Sequence, residues 1–376
     1  MSQSHTSLVL SQIGRVAAKK RVLDVLCLVA AAPVVVPLGL AVAAAVRTVD
    51  GAPVLFKQPR AGMDNETFAV TKFRTMRAGD GRNKDSIRIT KLGRFLRKTS
   101  LDELPQLWNV LKGDMSLVGP RPLYPEYIPY YTDEEKLRHA MRPGITGLSQ
   151  VSGRNNLRWT SRLAKDVEYV RNASVSQDIK IIMKTISKTL SRDDVAAVAR
   201  DTGEPLNVER SYPRDSQFAL RRFNLLDVPY RVKWMNDART RKHMQIPFLA
   251  TKETTTEWYH KVKEDPLRDD FVVYRPADDE PVAMLGLKSS DDPQRGVLYI
   301  FIDPDRNGEG IGTASLKLLL NWVETSRYEV VELSVSDDNA AARRLYEKLG
   351  FTPGPDEKQD RLTYEFAVSR NLGPHS

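Results

Sequence analysis

Two adjacent carboxylates, Asp102 and Glu103, stand between Ser100 and Pro105 in a stretch otherwise dense in Arg and Lys. That spacing has two readings. In one, Ser100 and Glu103 are the S-x-x-E pair of a capping box, with acidic residues suited to a helix N-terminus and Pro105 in or near its first turn. In the other, the two carboxylates hold Mg²⁺ while one attacks phosphorus, and nearby Arg and Lys neutralise phosphate charge. Spacing alone leaves both open. A second candidate lies late in the chain, at Asn307-Gly-Glu-Gly310-Ile-Gly312. Gly308, Gly310 and Gly312 follow an expected strand and open an expected helix, so their backbone amides could cradle an anion such as a pyrophosphate. A dinucleotide-binding unit would place this loop early, with an acidic residue about 20 positions on, and the loop here comes late.

The elements that must position these residues are legible from periodicity. Pro53–Arg60 and Phe68–Met76 read as short strands, with Lys72 and Arg74 on one face of the second. Arg88–Lys98 reads as a basic helix, and Thr99–Leu111 opens another. Residues 191–216 lack apolar periodicity and contain Gly, Pro and charge, as a linker should. Beyond them, helices are expected at Leu226–Met235 and Glu257–Val262. Strands are expected at Phe271–Tyr274, Val282–Leu287, Gly296–Ile302 and Val330–Val335. The Gly-rich loop opens a helix through Val323, and Asn339–Leu349 is another helix.

A chain of 376 residues needs more than one core, and 41% hydrophobic with 28% charged residues is globular rather than disordered. The net charge of +9 is uneven: residues 1–200 carry 32 Lys+Arg against 18 Asp+Glu, the remainder 25 against 30. A basic half and a mildly acidic half imply two domains with different partners. The lone cysteine, Cys27, excludes a disulfide framework and a Cys-based zinc site. From Val22 to Val46 the only charge is Asp24, a run long enough to span a bilayer. Pro33 and Pro37 interrupt it, and Lys19, Lys20 and Arg21 precede it while Arg47 and Lys57 follow, so both ends are expected on the cytoplasmic side. A re-entrant hairpin bent near Pro37 is the reading preferred over a kinked spanning helix.

The motifs Phe56-Lys-Gln-Pro-Arg60, Lys72-Phe-Arg-Thr-Met76, Thr99-Ser-Leu-Asp-Glu-Leu-Pro-Gln106, Asn109 through Gly-Pro-Arg-Pro122, and Arg142-Pro-Gly-Ile-Thr-Gly147 with Gly153-Arg-Asn155 follow one another in order. Together they resemble the bacterial sugar transferase family, the monotopic phosphoglycosyl transferases, from about Lys19 to Leu190. The resemblance implies transfer of a sugar phosphate from a nucleotide-activated sugar to polyprenol phosphate, with release of UMP, at a re-entrant membrane helix. It implies Asp102 as the nucleophile of a covalent phosphosugar intermediate and Glu103 as its partner in holding Mg²⁺. Lys72, Arg97 and Arg121 are implied as phosphate partners, and Arg154 as a contact to the nucleotide or sugar diphosphate. Two departures stand out: Val36 where the family often has Ser before the proline, and Leu148 where it often has Trp.

In the second half, the Asn307–Gly312 loop together with Asn339 and Arg343-Arg-Leu-Tyr346-Glu-Lys-Leu-Gly-Phe351 resembles the GNAT acetyltransferase superfamily over roughly 217–370. The resemblance implies acetyl-CoA as co-substrate, cradled by Gly308, Gly310, Gly312 and Thr313. Arg306 and Asn307 would stand at the pyrophosphate, Asn339 would contact the cofactor, and Tyr346 would donate a proton to the departing thiolate. Asn307 departs from the usual Arg or Gln. Val232–Arg241 with Glu257-Trp258 resembles the subset acting on nucleotide-linked amino sugars, with Glu257, His260 and Glu332 as general-base candidates.

The fold class expected is thus mixed α/β: a re-entrant membrane helix (about 22–46), a compact, mainly helical monotopic transferase domain (19–190), a linker (191–216) and a GNAT-like α+β domain (217–370), with tails at 1–18 and 371–376. The function expected is acetylation of a UDP-amino sugar, most simply a UDP-4-amino-4,6-dideoxy sugar, then transfer of its sugar phosphate to undecaprenyl phosphate at the inner membrane, facing the cytoplasm. Inner-membrane lipid is a partner, a homodimer is allowed, and nucleic acid is not expected. The alternatives are acetylation of a lipid-linked or protein amine, and a membrane-anchored anion-binding module without turnover.

Overall fold

The computed structural model describes residues 3–77, 88–153, 157–191, 204–244, 248–289, 292–306, 308–354 and 361–368, without the side chains of 3–15, 189–191 and 243. The chain forms two compact units, Met1–Arg200 and Asp201–Ser376.

The first unit begins with helix α1 (Gln3–Val49), which runs as one helix through Pro33 and Pro37. Among the described residues it is the one helix long and apolar enough to cross a membrane. Its apolar stretch is held at both ends by the rest of the unit. Near its start, buried Lys20 pairs with Asp178 and donates to the Val118 carbonyl and the Tyr169 hydroxyl, and Asp24 accepts the Leu117 amide at 3.0 Å. Lys20 is therefore a structural anchor, where charge counting placed it at the membrane surface. Near the end, Val42 and Val46 pack on Phe73 and Leu96. Between the grips, Leu26, Val29, Val34, Val36 and Leu40 are exposed.

Strands β1 (Leu55–Ala61) and β2 (Thr67–Phe73) form an antiparallel hairpin. Helix α2 (Lys91–Thr99) crosses the end of β2, so closely that a Cβ on Gly93 would sit 2.0 Å from the Thr75 carbonyl oxygen. The expected Thr99–Leu111 helix is split: Leu101–Glu103 is a single 3₁₀ turn, and α3 (Gln106–Lys112) starts after Pro105. β3 (Ser116–Val118) and β4 (Gly144–Thr146) pair in parallel, and a Cβ on Gly144 would fall 2.1 Å from the Gly119 amide nitrogen. That contact explains why both the Gly-Pro-Arg-Pro and the Pro-Gly-Ile-Thr-Gly motifs carry glycine there. Helices α4 (Leu148–Ser152), α5 (Trp159–Arg171) and α6 (Val175–Ser191) complete the unit. Leu148 packs partly buried against the Val118–Met141–Tyr169 cluster.

The second unit opens with α7 (Leu206–Glu209), whose Leu206 is buried, then β5 (Ala219–Arg222), α8 (Val228–Asn236), α9 (Ala238–Met244) and α10 (Lys252–Val262). β6 (Arg268–Arg275), β7 (Glu280–Ser289), β8 (Arg295–Ile302), α11 (Ile311–Glu324), β9 (Val330–Ser336), α12 (Ala340–Lys348), β10 (Thr352–Pro353) and β11 (Arg361–Ala367) follow. Seven strands lie in the order β10-β11-β9-β8-β7-β6-β5, all antiparallel except β8 with β9. Residues alternate between two cores, as period two requires. Phe271, Val273 and Leu285 face α11 and α12, while Val272 and Met284 face α8 and α10. β8 and β9 pair only over Arg295–Val297 against Val330–Glu332. From Leu298 on they part.

Candidate functional sites

In the first unit the site grows from the hairpin and the 3₁₀ turn. Ser100 ends α2 in the left-handed conformation (φ +56°) and its side chain caps nothing. The Glu103 side chain instead receives Lys72 Nζ from β2 at 2.6 Å. The capping-box reading is thereby corrected: a charge partner 31 residues upstream takes the carboxylate. Arg74, expected on the same strand face as Lys72, lies beyond β2 and donates to the Asp50, Gly51 and Ala52 carbonyls. Arg97 Nε donates to the Thr75 hydroxyl at 2.9 Å, and exposed Arg121 follows the tight Gly119 turn. Arg154 lies outside the described residues.

The two adjacent carboxyls are driven apart. Asp102 is 8% exposed and its carboxyl is pushed up to about 6, by burial first and by the neighbouring Glu103 charge, against the pull of Lys72 and Arg97. Burial works to raise Glu103 as well. The Lys72 and Arg121 charges, with hydrogen bonds from Lys72 and Gln106, outweigh it and hold that group below its usual range. Environments that separate two like groups in this way mark different chemical roles. For a divalent cation, no cluster of three acidic, His or Cys ligands occurs among the described residues. Two carboxylates do suit Mg²⁺, which is commonly held by one or two of them plus substrate phosphates.

A buried network behind Arg121 escaped sequence reasoning. Arg138 (2% exposed) donates through Nη2 to Asp166 at 2.8 Å and to the Arg121 carbonyl at 2.5 Å, while Ser149 donates to the other Asp166 oxygen at 2.8 Å. His139 meets the Gly62 carbonyl oxygen through Nδ1 at 2.9 Å, and burial together with Arg138 brings its pKa down to about 4, so it is neutral at pH 7. One signal was available: Asp166 shares the apolar face of α5 with Leu163, Val167 and Val170. An acid on a buried face needs a partner. Arg138→Met is expected to cost about 3–5 kcal/mol by stranding Asp166 in the interior, read as a lowered urea midpoint with unchanged slope.

In the second unit, Gly308 (φ +91°) and Gly310 (φ +76°) hold left-handed conformations, and nothing lies within 4 Å of where a Cβ would stand on either. Gly310 is the N-cap of α11, so the loop of open glycines leads directly into the helix N-terminus. Gly312 sits where a Cβ would touch Ile302 of β8 (3.0 Å) and Leu345 of α12 (3.4 Å), and half-buried Thr313 follows it. Arg306 is engaged by Glu280 at 2.7 Å, with Glu309 and Asp303 at 3.8 and 4.0 Å. Asn307 lies outside the described residues. The Asn339 side chain caps α12 by accepting the Ala342 amide at 3.1 Å. Tyr346 is buried beside Phe351 and Tyr364, and burial lifts its hydroxyl to about 12. Of the base candidates, Glu257 and His260 are exposed and Glu332 is paired with Arg295.

Residues 15–192 match the family model described as bacterial sugar transferase, and residues 233–351 the one described as acetyltransferase (GNAT) family. "Uncharacterized sugar transferase EpsL" of Bacillus subtilis is 47% identical over 43% of this chain and 82% of its own length. The UDP-glucose:undecaprenyl-phosphate glucose-1-phosphate transferase of Caulobacter vibrioides is 40% identical over 47% of this chain and 71% of its own. The undecaprenyl-phosphate galactose phosphotransferase of Salmonella typhimurium is 41% identical over 46% of this chain and only 41% of its own. The chain therefore spans most of two relatives and less than half of the third. Among solved structures, spermidine N-acetyltransferase of Vibrio cholerae is 20% identical over 42% of this chain and all of its own, with a TM-score of 0.39. The chain belongs to the bacterial sugar transferase family, and carries a GNAT acetyltransferase domain behind its transferase unit.

Proposed function

We propose that the first unit is a phosphoglycosyl transferase in which Asp102 is the nucleophile. What carries this reading is the separation of the paired carboxyls: Glu103 is committed to Lys72, whereas Asp102 is buried with no ion-pair partner among the described residues. An Asp102 oxygen attacks the sugar-bearing phosphorus of a UDP-sugar, the bond to the bridging oxygen breaks, and UMP leaves with that oxygen. An oxygen of undecaprenyl phosphate then attacks the same phosphorus and frees Asp102. Lys72, Arg97 and Arg121 are assigned to balance the phosphate charge, and Arg154 to the diphosphate. Asp102 and Glu103 would hold Mg²⁺ together with the substrate's phosphates, and the ion would neutralise developing charge. The membrane reading is monotopic, at the cytoplasmic face of the inner membrane. Its support is α1, gripped by one unit at both ends of an exposed apolar stretch. On α6, exposed Ile179, Met183 and Ile186 add an apolar strip among Lys180, Lys184 and Lys188.

In the second unit the open backbone at Gly308 and Gly310, with the following Gly312 and Thr313, is assigned to the diphosphate of acetyl-CoA, which supplies the activated acetyl group. Arg306 is held by Glu280, so the backbone amides carry that contact. Tyr346 keeps its proton at neutral pH and can give it to the departing sulfur. The acceptor is a UDP-amino sugar, acetylated before its sugar phosphate is transferred. The test supplies UDP-4-amino-4,6-dideoxy sugar, Mg²⁺ and undecaprenyl phosphate with and without acetyl-CoA, and weighs the lipid product by mass spectrometry. An N-acetylated product formed faster with acetyl-CoA is expected. Equal transfer rates with and without acetyl-CoA would sink the order of the two steps.

A further inference from the structure

The motif Phe56-Lys-Gln-Pro-Arg60 builds a further cation onto the hairpin of the first unit. The β1–β2 register pairs Phe56 with Lys72, Gln58 with Val70 and Arg60 with Phe68. By period two, Gln58 and Arg60 therefore share the hairpin face that carries Lys72 to Glu103. Arg60 turns back along that face, its Nη2 donating to Gln58 Oε1 at 2.6 Å. Its guanidinium thus approaches the level of Gln58, one strand repeat, about 7 Å, from the level of Lys72. The flat side of the guanidinium rests on the Tyr124 ring, 3.6 Å from the centroid. Gln58 closes the triangle by donating through Nε2 to the Tyr124 hydroxyl at 3.3 Å, and Tyr127 meets the Tyr124 ring edge-on at 5.5 Å.

Tyr124 also ties this cation to the turn that carries Arg121, three residues before it, and the Ala61 amide donates to the Leu123 carbonyl at 2.9 Å. Sequence neighbours hold the same two segments: Arg138 donates to the Arg121 carbonyl and His139 meets the Gly62 carbonyl oxygen. Arg60 is therefore fixed to both pieces of chain that bring positive charge to Glu103, the hairpin with Lys72 and the turn with Arg121. Lys72 is committed to Glu103, and Arg74 to backbone carbonyls. Arg60 is half-buried and has no carboxylate among the described residues, and its Nε and Nη1 are not sealed from solvent. A planar fork of donors, stacked on a ring and held at one end, presents its open edge in a single orientation, and that edge matches phosphate. Holding it in advance spares the ordering cost at binding. Polarity along β1 selects the source of the phosphate. The strand's exposed apolar side chains, Leu55 and Phe56, lie at its start, and Arg60 lies toward the other end with Gln58 and Tyr124.

We infer that Arg60 is a further substrate-binding residue of the transferase site, taking a phosphate oxygen on the nucleotide side of the UDP-sugar's diphosphate, with Gln58 and Tyr124 as its positioning residues. This rests on the transferase reading of the first unit. The experiment is steady-state transfer by the full-length protein with UDP-4-acetamido-4,6-dideoxy sugar and undecaprenyl phosphate, each varied in turn. Arg60→Met should raise KM for the UDP-sugar by about tenfold or more, the scale of one lost hydrogen bond to a charged group, and leave KM for undecaprenyl phosphate unmoved. Tyr124→Leu should move the same constant in the same direction, and Tyr124→Phe, which keeps the ring, by about threefold or less. A rise confined to undecaprenyl phosphate gives Arg60 to the lipid phosphate and overturns the assignment. An equal rise for both substrates, a fall in kcat alone, or no change overturns it as well. Should Arg60→Met lose the cooperative urea transition of the wild type, Arg60→Lys and Arg60→Gln decide: a KM for the UDP-sugar kept by Lys and raised by Gln supports the contact, and both alike overturns it. Titration of the same proteins with UMP separates the contact from the reaction. A UMP site weakened about tenfold in Arg60→Met, in a protein that turns over no UDP-sugar, upholds the contact and removes the transferase reading. No UMP binding in wild type, or an isotherm that Arg60→Met leaves unchanged, overturns the contact whatever the turnover.

Discussion

Asp102→Asn is expected to end UMP release, by a factor on the order of 10⁴ or more, while thiol release from acetyl-CoA continues at the wild-type rate. The amide keeps the shape of the carboxyl and one accepting oxygen, puts a donating NH2 in place of the other, and so removes the anionic oxygen that would bond to phosphorus. The variant should also be no less stable than wild type at pH 7. A folded-state value of about 6 against an ordinary 3.8 means that the fold disfavours the ionised form. Stability from this group is therefore present at low pH and lost as pH rises through the window from about 4 to 6, and at neutral pH the buried charge costs about 2–3 kcal/mol. An equal or higher urea midpoint in Asp102→Asn would separate lost chemistry from lost structure. The acid limb of the wild-type profile should follow protonation of Asp102: kcat/KM for UMP release falls on the acid side, and bound Mg²⁺ moves that limb below the metal-free value. Retained UMP release in the variant would remove Asp102 as nucleophile.

Gly310→Val should raise KM for acetyl-CoA about 100-fold without touching UMP release. Two effects act in the same direction. At φ +76° a β-branched residue is strained by about 1–2 kcal/mol, so the loop moves away from the conformation that caps α11. The added side chain also enters the open space where the diphosphate is assigned. Gly308→Ala, in equally open space at φ +91°, should give a smaller rise through backbone strain. Isotherms for acetyl-CoA binding to the full-length variants would check both, and a valine variant that binds normally would take the cofactor away from this loop.

How much of this was readable without coordinates depended on the range of each contact. The glycine loop was legible because its geometry is local: strand, open glycines and helix occupy about ten consecutive residues, and each signals its neighbour. Four strands of the seven-stranded sheet, β6 to β9, were legible for the same reason, since period-two runs such as Val330–Ser336 carry their own pattern, whereas β5, β10 and β11 were not read. Asp102 and Glu103 were legible as residues but not as a geometry. Local spacing favoured a cap, and the outcome was decided by Lys72, brought from another element by the β1–β2 hairpin. Arg138 and Arg231 were not legible at all. Their significance lies in what surrounds them: Asp166 and the Arg121 carbonyl in one case, and in the other four rings from three segments, Phe223, Trp258 of α10, and Tyr299 and Phe301 of β8. No window of sequence contains those environments. Arg306 stands beside the loop in sequence, and the structure adds a partner that no local window contains, Glu280.

The pairing of Lys20 with Asp178 also sets a clock. These partners are 158 residues apart, and at ordinary synthesis rates of about 5–20 residues per second roughly 8–30 seconds separate their appearance. Throughout that interval the most apolar segment of the chain has emerged, while the acid that fixes its base does not yet exist. The helix must therefore find lipid, or a protein that shields it, before its own domain can hold it. Closure of α6 over Lys20 then becomes a late step that turns a loosely inserted segment into a seated one. Truncation before residue 178 should leave a chain that reaches the membrane and yet never settles there.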